Sequence, residues 1–184
     1  MKHFIDVSVV LRQTGSGQYS NLVTRSTGAA VRQEIELAVA ALPERTLTII
    51  DFSSVGMMDF SCADEVVGKL LNDIRRGPEP REVYIAVSGV GDSHLEAIET
   101  VLECYGLAVV VEDAHGPWRV VGPLDDDSRR ACNAVNRRGR ACAADIAPEL
   151  GESADLTDRT LNTLWERRLV MRDANGYLAL QMAL

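Results

Sequence analysis

The sequence predicts an α/β domain, a mixed sheet with helices packed against it, followed by a small unit of helices and a hairpin. Three observations carry this. As far as about residue 121, short apolar runs of strand length alternate with apolar stripes of helical period. At GPLDDD (122–127) the alternation stops in a Gly-Pro step and three aspartates. Beyond it, three helical patterns and an Asn-Gly turn signal fill the rest of the chain.

The first segment, HFIDVSVVL, predicts a strand from its alternation, with a Gly/Ser/Gln-rich turn over 13–18. Val31, Ile35, Ala38, Val39 and Leu42 then lie on one face of a helix over 26–42 that Pro43 closes. TLTIIDF (46–52) is nearly continuous in apolar residues, as a strand buried on both faces requires. After the loop SSVGMMD, the spacing of Ala63, Val66, Val67, Leu70, Leu71 and Ile74 predicts a second helix, ended by Gly77, Pro78, Glu79 and Pro80. EVYIAV (82–87) predicts a strand. Leu95, Ile98, Leu102 and Tyr105 predict a helix with Gly106 as its C-terminal cap, and LAVVV (107–111) a further strand. Downstream, Ser128 is the expected cap of a helix running to about Arg138, 141–150 a second helix and 154–168 a third. LVMR and YLALQ flank Asp173-Ala174-Asn175-Gly176 as a hairpin. The resulting division is a domain over 1–121, an acidic linker over 122–127 and a unit over 128–184.

With 184 residues, 46% hydrophobic and 25% charged, the chain has the composition of a folded globular protein rather than a disordered or fibrous one. No apolar run approaches the roughly 18 residues that span a bilayer, and MKHFIDVSVVLRQ lacks the apolar block of a signal peptide, so no membrane association and a cytoplasmic location are expected. Cys62, Cys104, Cys132 and Cys142 form no CxxC pair, and His3, His94 and His115 stand far apart, so no metal site is expected. The net charge of −8 disfavours nucleic acid unless positive charge is gathered locally. Residues 124–184 hold nine arginines against ten acids, a net of −1, and the remaining −7 lies upstream.

The stretch IIDFSSVGMMDFSCADEVVGKLL (49–71), with the upstream LVTRSTGAAVRQEIE, resembles the STAS family (sulfate transporter and anti-sigma factor antagonist) and especially its STAS-like relatives. The resemblance covers about residues 1–121. In anti-sigma factor antagonists the corresponding Asp-Ser-Ser-Gly carries a serine that a partner kinase phosphorylates. Here the matching residues are Asp59, Phe60, Ser61 and Cys62. The resemblance therefore implies a partner surface at Asp59, Phe60, Ser61 and Asp64, a kinase or ATPase as partner, and Ser61 as the phosphorylation candidate. The residues alone assign Ser61 a plainer role: with Asp64 three positions on and an apolar run behind, it fits the N-cap of a capping box.

Enzyme chemistry is not expected. Cys62 stands in the first turn of a helix, where a thiol pKa can fall, but Asp59 and Asp64 oppose the thiolate and no histidine is near in sequence. VYIAVSGVGDSH places Gly89 and Gly91 between strand and helix, with Glu112 ending the next strand. The third glycine of a dinucleotide fingerprint is replaced by His94, so the bland turn is preferred and no cofactor is expected.

The C-terminal unit, from RACAADIAPELGESADLTDRTLNTLWERR to the hairpin, is similar to the winged helix-turn-helix of bacterial transcription regulators. That resemblance makes 154–168 the recognition helix and 169–181 the wing. It assigns Thr157, Arg159, Thr160, Asn162 and Thr163 to the major groove of double-stranded DNA, and Arg137, Arg138, Arg140 and Arg172 to phosphates. Asp155 and Asp158 near the helix start oppose such contacts, and solvated or internally paired arginines are the alternative. Two functions are expected on this basis: a transcription regulator coupling the STAS-like domain to DNA, in which a homodimer would supply two half-sites, or a protein adaptor in partner switching that binds no DNA.

Overall fold

The computed structural model describes residues 1–14, 20–76, 81–113 and 118–183. Five strands form one sheet in the order β1-β2-β3-β4-β5: β1 (Lys2–Asp6), β2 (Leu47–Asp51), β3 (Tyr84–Ser88), β4 (Val109–Glu112) and β5 (Arg119–Val121). The first four are parallel and β5 closes the edge antiparallel to β4. Strand order follows chain order, and right-handed crossovers then place every connecting helix on one face. Those helices are α1 (Val7–Gln13), α2 (Arg25–Ala40), α3 (Phe60–Ala63), continued through a π turn (Asp64–Lys69) into α4 (Leu70–Arg76), and α5 (Asp92–Tyr105).

The first strand is shorter than its alternation predicts. Asp6 ends it by capping α1, its carboxylate accepting from the Ser8 N–H at 2.8 Å. Val7, Val10 and Leu11, at helical spacing, then turn into the core. The Gly-rich turn beyond Thr14 and the Gly77–Pro80 breaker run lie outside the described residues. Thr24 caps α2, and Gly106 closes α5 with a left-handed φ of 64°, as the patterns predict, whereas the short strand β5 has no counterpart among the expected strands.

Each face of the sheet has its own core. Ile5, Ile50, Val87 and Val111 share one register row and pack beneath α1, α2, α5 and the helix over 60–76. On the reverse face Leu47, Ile49, Tyr84, Ala86, Val110 and Val120 pack against the C-terminal unit. That unit comprises α6 (Asp126–Arg138), β6 (Arg140–Ala141), α7 (Ala143–Leu150), α8 (Ala154–Glu166), β7 (Val170–Asp173), β8 (Gly176–Ala179) and a short 3-10 turn (Leu180–Met182), with a second sheet in the order β6-β8-β7. The acidic run opens its first helix: Asp125, not Ser128, is the N-cap, accepting from the Ser128 N–H at 2.8 Å, and Asp126 and Asp127 stand in the first turn, where a helix dipole favours carboxylates. In the hairpin, Asp173 pairs with Gly176 across a two-residue turn of Ala174 and Asn175. No helix among the described residues is long and apolar enough to cross a membrane.

Candidate functional site

The segment that leaves β2 is tied to the segment that enters α2. The Leu22 N–H donates to Met57 O at 2.7 Å, and the Asp59 N–H donates to Leu22 O at 2.9 Å. Leu22 and Met58 are buried by this pairing, while their neighbours Val23, Met57 and Phe60 are left 45%, 58% and 46% exposed. The result is a small apolar surface at the mouth of the helix over 60–76.

Asp59, not Ser61, is the N-cap of that helix. Its Oδ1 accepts from the Cys62 N–H and from the Ser61 hydroxyl, both at 2.8 Å. Two residues competent to cap stand two positions apart, and the extended backbone of Asp59, φ −84° and ψ 168°, gives it the role. Partial burial would raise the Asp59 pKa, but the bonds from Cys62 and Ser61 outweigh it and hold the carboxyl below its ordinary range. Ser61 is half-buried, and Phe60 before it is exposed. A phosphate on Ser61 would abolish the bond to Asp59 and set two anions together.

Asp64 does not belong to this surface. It turns inward to Arg25 at 2.5 Å, and the Tyr105 hydroxyl donates to it at 2.9 Å. Beside it the buried Glu65 accepts from Arg25 at 3.0 Å, from Arg32 at 3.2 Å and from Lys69, which ties α2 to the π turn. Burial pushes the Glu65 pKa up, and the bonds from Lys69 and Arg25 more than reverse it. The Glu65–Lys69 pair is local at i, i+4, but the rest of this network was invisible in the sequence because Arg25 and Arg32 lie a helix away.

Cys62 is a buried thiol whose Sγ donates to Thr24 O at 3.0 Å. Burial, then the charge of Asp59, pushes its pKa to about 11, so it is protonated at neutral pH and unsuited to nucleophilic attack. Gly89 is explained by packing: at φ +67°, a Cβ there would overlap the Ser53 N and stand 2.5 Å from an Asp51 carboxylate oxygen. A sheet wound in one direction has no switch point at which a dinucleotide crevice opens. His94, in the first turn of α5, is buried, and neither ring nitrogen has a partner among the described residues. Among the described residues no group of three His, Cys, Asp or Glu gathers as a metal ion would need.

The residues assigned to DNA are dispersed in role. Arg137 meets Glu149 at 2.8 Å, and Arg138 pairs with the same carboxylate. Arg140 clasps both oxygens of Asp173, at 2.7 and 2.8 Å. Arg172 donates to Asn162 Oδ1 at 2.9 Å and lies over the rings of Trp165 and Tyr177, 5.7 and 5.5 Å from their centroids. Thr157 is fully buried and cannot reach a groove, a correction to its assignment: it follows Leu156 on α8, but Leu156 is the residue turned to solvent. Thr160 and Thr163 donate back to the carbonyls of Leu156 and Arg159, at 3.3 and 3.0 Å. Of the assigned arginines, Arg159 alone has no ion-pair or hydrogen-bond partner for its side chain among the described residues. Its exposed neighbours on α8 include Asp155, Asp158 and Glu166.

A scan against protein-family models finds no match for this chain, and a search of the curated proteins finds none.

Proposed function

We propose that the chain is a regulatory adaptor: a STAS-like domain that binds a kinase or ATPase through Asp59, Phe60 and Ser61, with a winged helix as a docked second module. The observation that carries this is the exposure of Val23, Met57 and Phe60 on the paired segments that meet at Asp59, next in the chain to the half-buried Ser61. An exposed aromatic beside a modifiable hydroxyl is a usable anchor, because one phosphate changes charge where a partner must pack. The net charge of −7 upstream of residue 124 favours a partner with a basic face.

DNA binding is the second reading, favoured by one observation: Arg159, without a side-chain partner among the described residues, lies on the exposed side of α8, with Thr163 one turn away. Against it, the other assigned arginines are engaged by Glu149, Asp173 and Asn162, so phosphate contact would first cost those bonds.

Affinity capture from host extract by the full chain, with Phe60→Asp, Ser61→Asp and Ser61→Ala in parallel, tests the adaptor. A kinase or ATPase retained by wild type and Ser61→Ala but lost from the other two is expected. Equal retention by all four overturns the assignment of the surface. Genomic DNA selected in the same experiments, with discrete enriched sites lost on Arg159→Ala, would establish the second reading instead.

A further inference from the structure

The outer edge of β1 has no strand beside it among the described residues. Native sheets blunt such edges with charge, proline or a bulge, yet this one carries Phe4, 61% exposed, at its centre. The Leu47 N–H donates to Met1 O at 3.0 Å, and the parallel register carries that alternation along the strand. His3 and Ile5 therefore direct their backbone groups to β2, while Lys2 and Phe4 direct theirs, and Asp6 its N–H, to the open edge. The same three side chains share one face, in register with Leu47, Ile49 and Asp51.

We propose that β1 pairs antiparallel with β1 of a second copy, joining two five-stranded sheets across a two-fold axis at Phe4. The pattern Lys-His-Phe-Ile-Asp is complementary to itself in this register. Phe4 faces Phe4, and Lys2 faces Asp6 twice. Phe4 opposite Phe4 is then a hydrogen-bonded pair, and at each end the Asp6 N–H can donate to the opposite Lys2 carbonyl, while the Asp6 carbonyl takes the first helical bond of α1. A parallel pairing would set Lys2 against Lys2 and Asp6 against Asp6. The Asp6 carboxylate faces the start of α1, with Oδ1 on the Ser8 N–H, and the Lys2 ammonium gives one proton to Gln181 O at 2.9 Å and lies 5.7 Å from the Trp118 centroid, so pairing with the opposite number uses the remaining lone pairs and protons of each.

Sedimentation equilibrium of the full chain at several concentrations tests this. A dimer is expected, and Lys2→Glu, which turns both charge pairs repulsive, should weaken it at least about tenfold without changing the far-ultraviolet spectrum. Phe4→Cys, in a chain whose exposed Cys104 and Cys142 are serine, should cross-link under mild oxidant, since the paired Cα atoms would stand about 5.5 Å apart. The cross-link requires no charge change and stands even where Lys2→Glu folds poorly. A wild-type monomer at all concentrations overturns the proposal. So does a dimer that is indifferent to Lys2→Glu and does not cross-link at position 4.

Discussion

Arg168, just beyond α8, lies over the ring of Tyr84 in the central strand, its guanidinium carbon 5.9 Å from the ring centroid and 5.6 Å from that of Trp165. It also donates to Arg81 O at 3.4 Å, and it holds a left-handed φ of 63°, a conformation that an arginine adopts only when its surroundings dictate it. Tyr84 is fully buried and its hydroxyl donates to Glu82, which also accepts from the Trp165 indole at 3.5 Å. This cluster fastens the C-terminal unit to the reverse face of the sheet. Arg168→Ala should lower unfolding free energy by about 1–2 kcal/mol in urea titration and speed hydrogen exchange across α8 first. Unchanged stability would show that the burial around Leu161 and Leu164 holds the unit without the arginine.

Gly68 lies within the π turn against α5. A Cβ there would overlap Val101 Cγ1 and stand 2.8 Å from Tyr105 Cε2, so the two helices approach only because the side chain is absent. Gly68→Ala is expected to destabilise by about 1–3 kcal/mol despite the better helix propensity of alanine. Thermal unfolding reads the sign directly: a rise in Tm would mean that Val101 and Tyr105 yield without cost.

The stripe of α2 and the run of β2 were legible because each is a local pattern of apolar residues, and Gly106 because a left-handed cap demands a glycine. The break after Asp6 was hidden, since a valine-rich segment satisfies strand and helix spacing alike and only the cap decides. β2 shows in sequence that both its faces are buried, but not that α1 and α2 cover one and the C-terminal unit the other. The site was legible as a position and not as a geometry. Asp59 and Ser61 are both capping residues, and the choice lies in backbone angles. Asp64 reads as a surface acid until Arg25, far upstream, is folded against it, and Arg137 and Arg138 read as phosphate ligands until Glu149 is.

Thiol reactivity separates the four cysteines. Cys104 and Cys142 are exposed, whereas Cys62 and Cys132 are buried, their pKa values pushed by burial to about 11 and about 12. Titration of the native chain with an aromatic disulfide at neutral pH should therefore consume two thiols quickly, and the remaining two only on unfolding. Rapid reaction of a third would mean that the α2–α3 contact at Thr24 and Cys62 opens readily.

The Glu65 network makes stability depend on acid. Its folded pKa is held below the unfolded value, as are those of Asp59, Asp64 and Asp125. A carboxyl with a depressed folded pKa adds stability that is fully present above its unfolded pKa and is lost as pH falls through the folded one. Unfolding free energy should thus be level from neutrality to about pH 5 and fall steadily below about pH 4. Glu65→Gln separates this network from the capping carboxylates. The amide keeps the shape but not the charge, leaving Arg25, Arg32 and Lys69 gathered around a neutral group. The variant should be less stable at neutral pH by about 2–4 kcal/mol, the cost of breaking one partner from a buried ionic cluster, and its acid slope should be shallower than that of wild type. Parallel slopes in the two proteins would assign the acid sensitivity to the caps at Asp59 and Asp125 instead of the buried carboxylate.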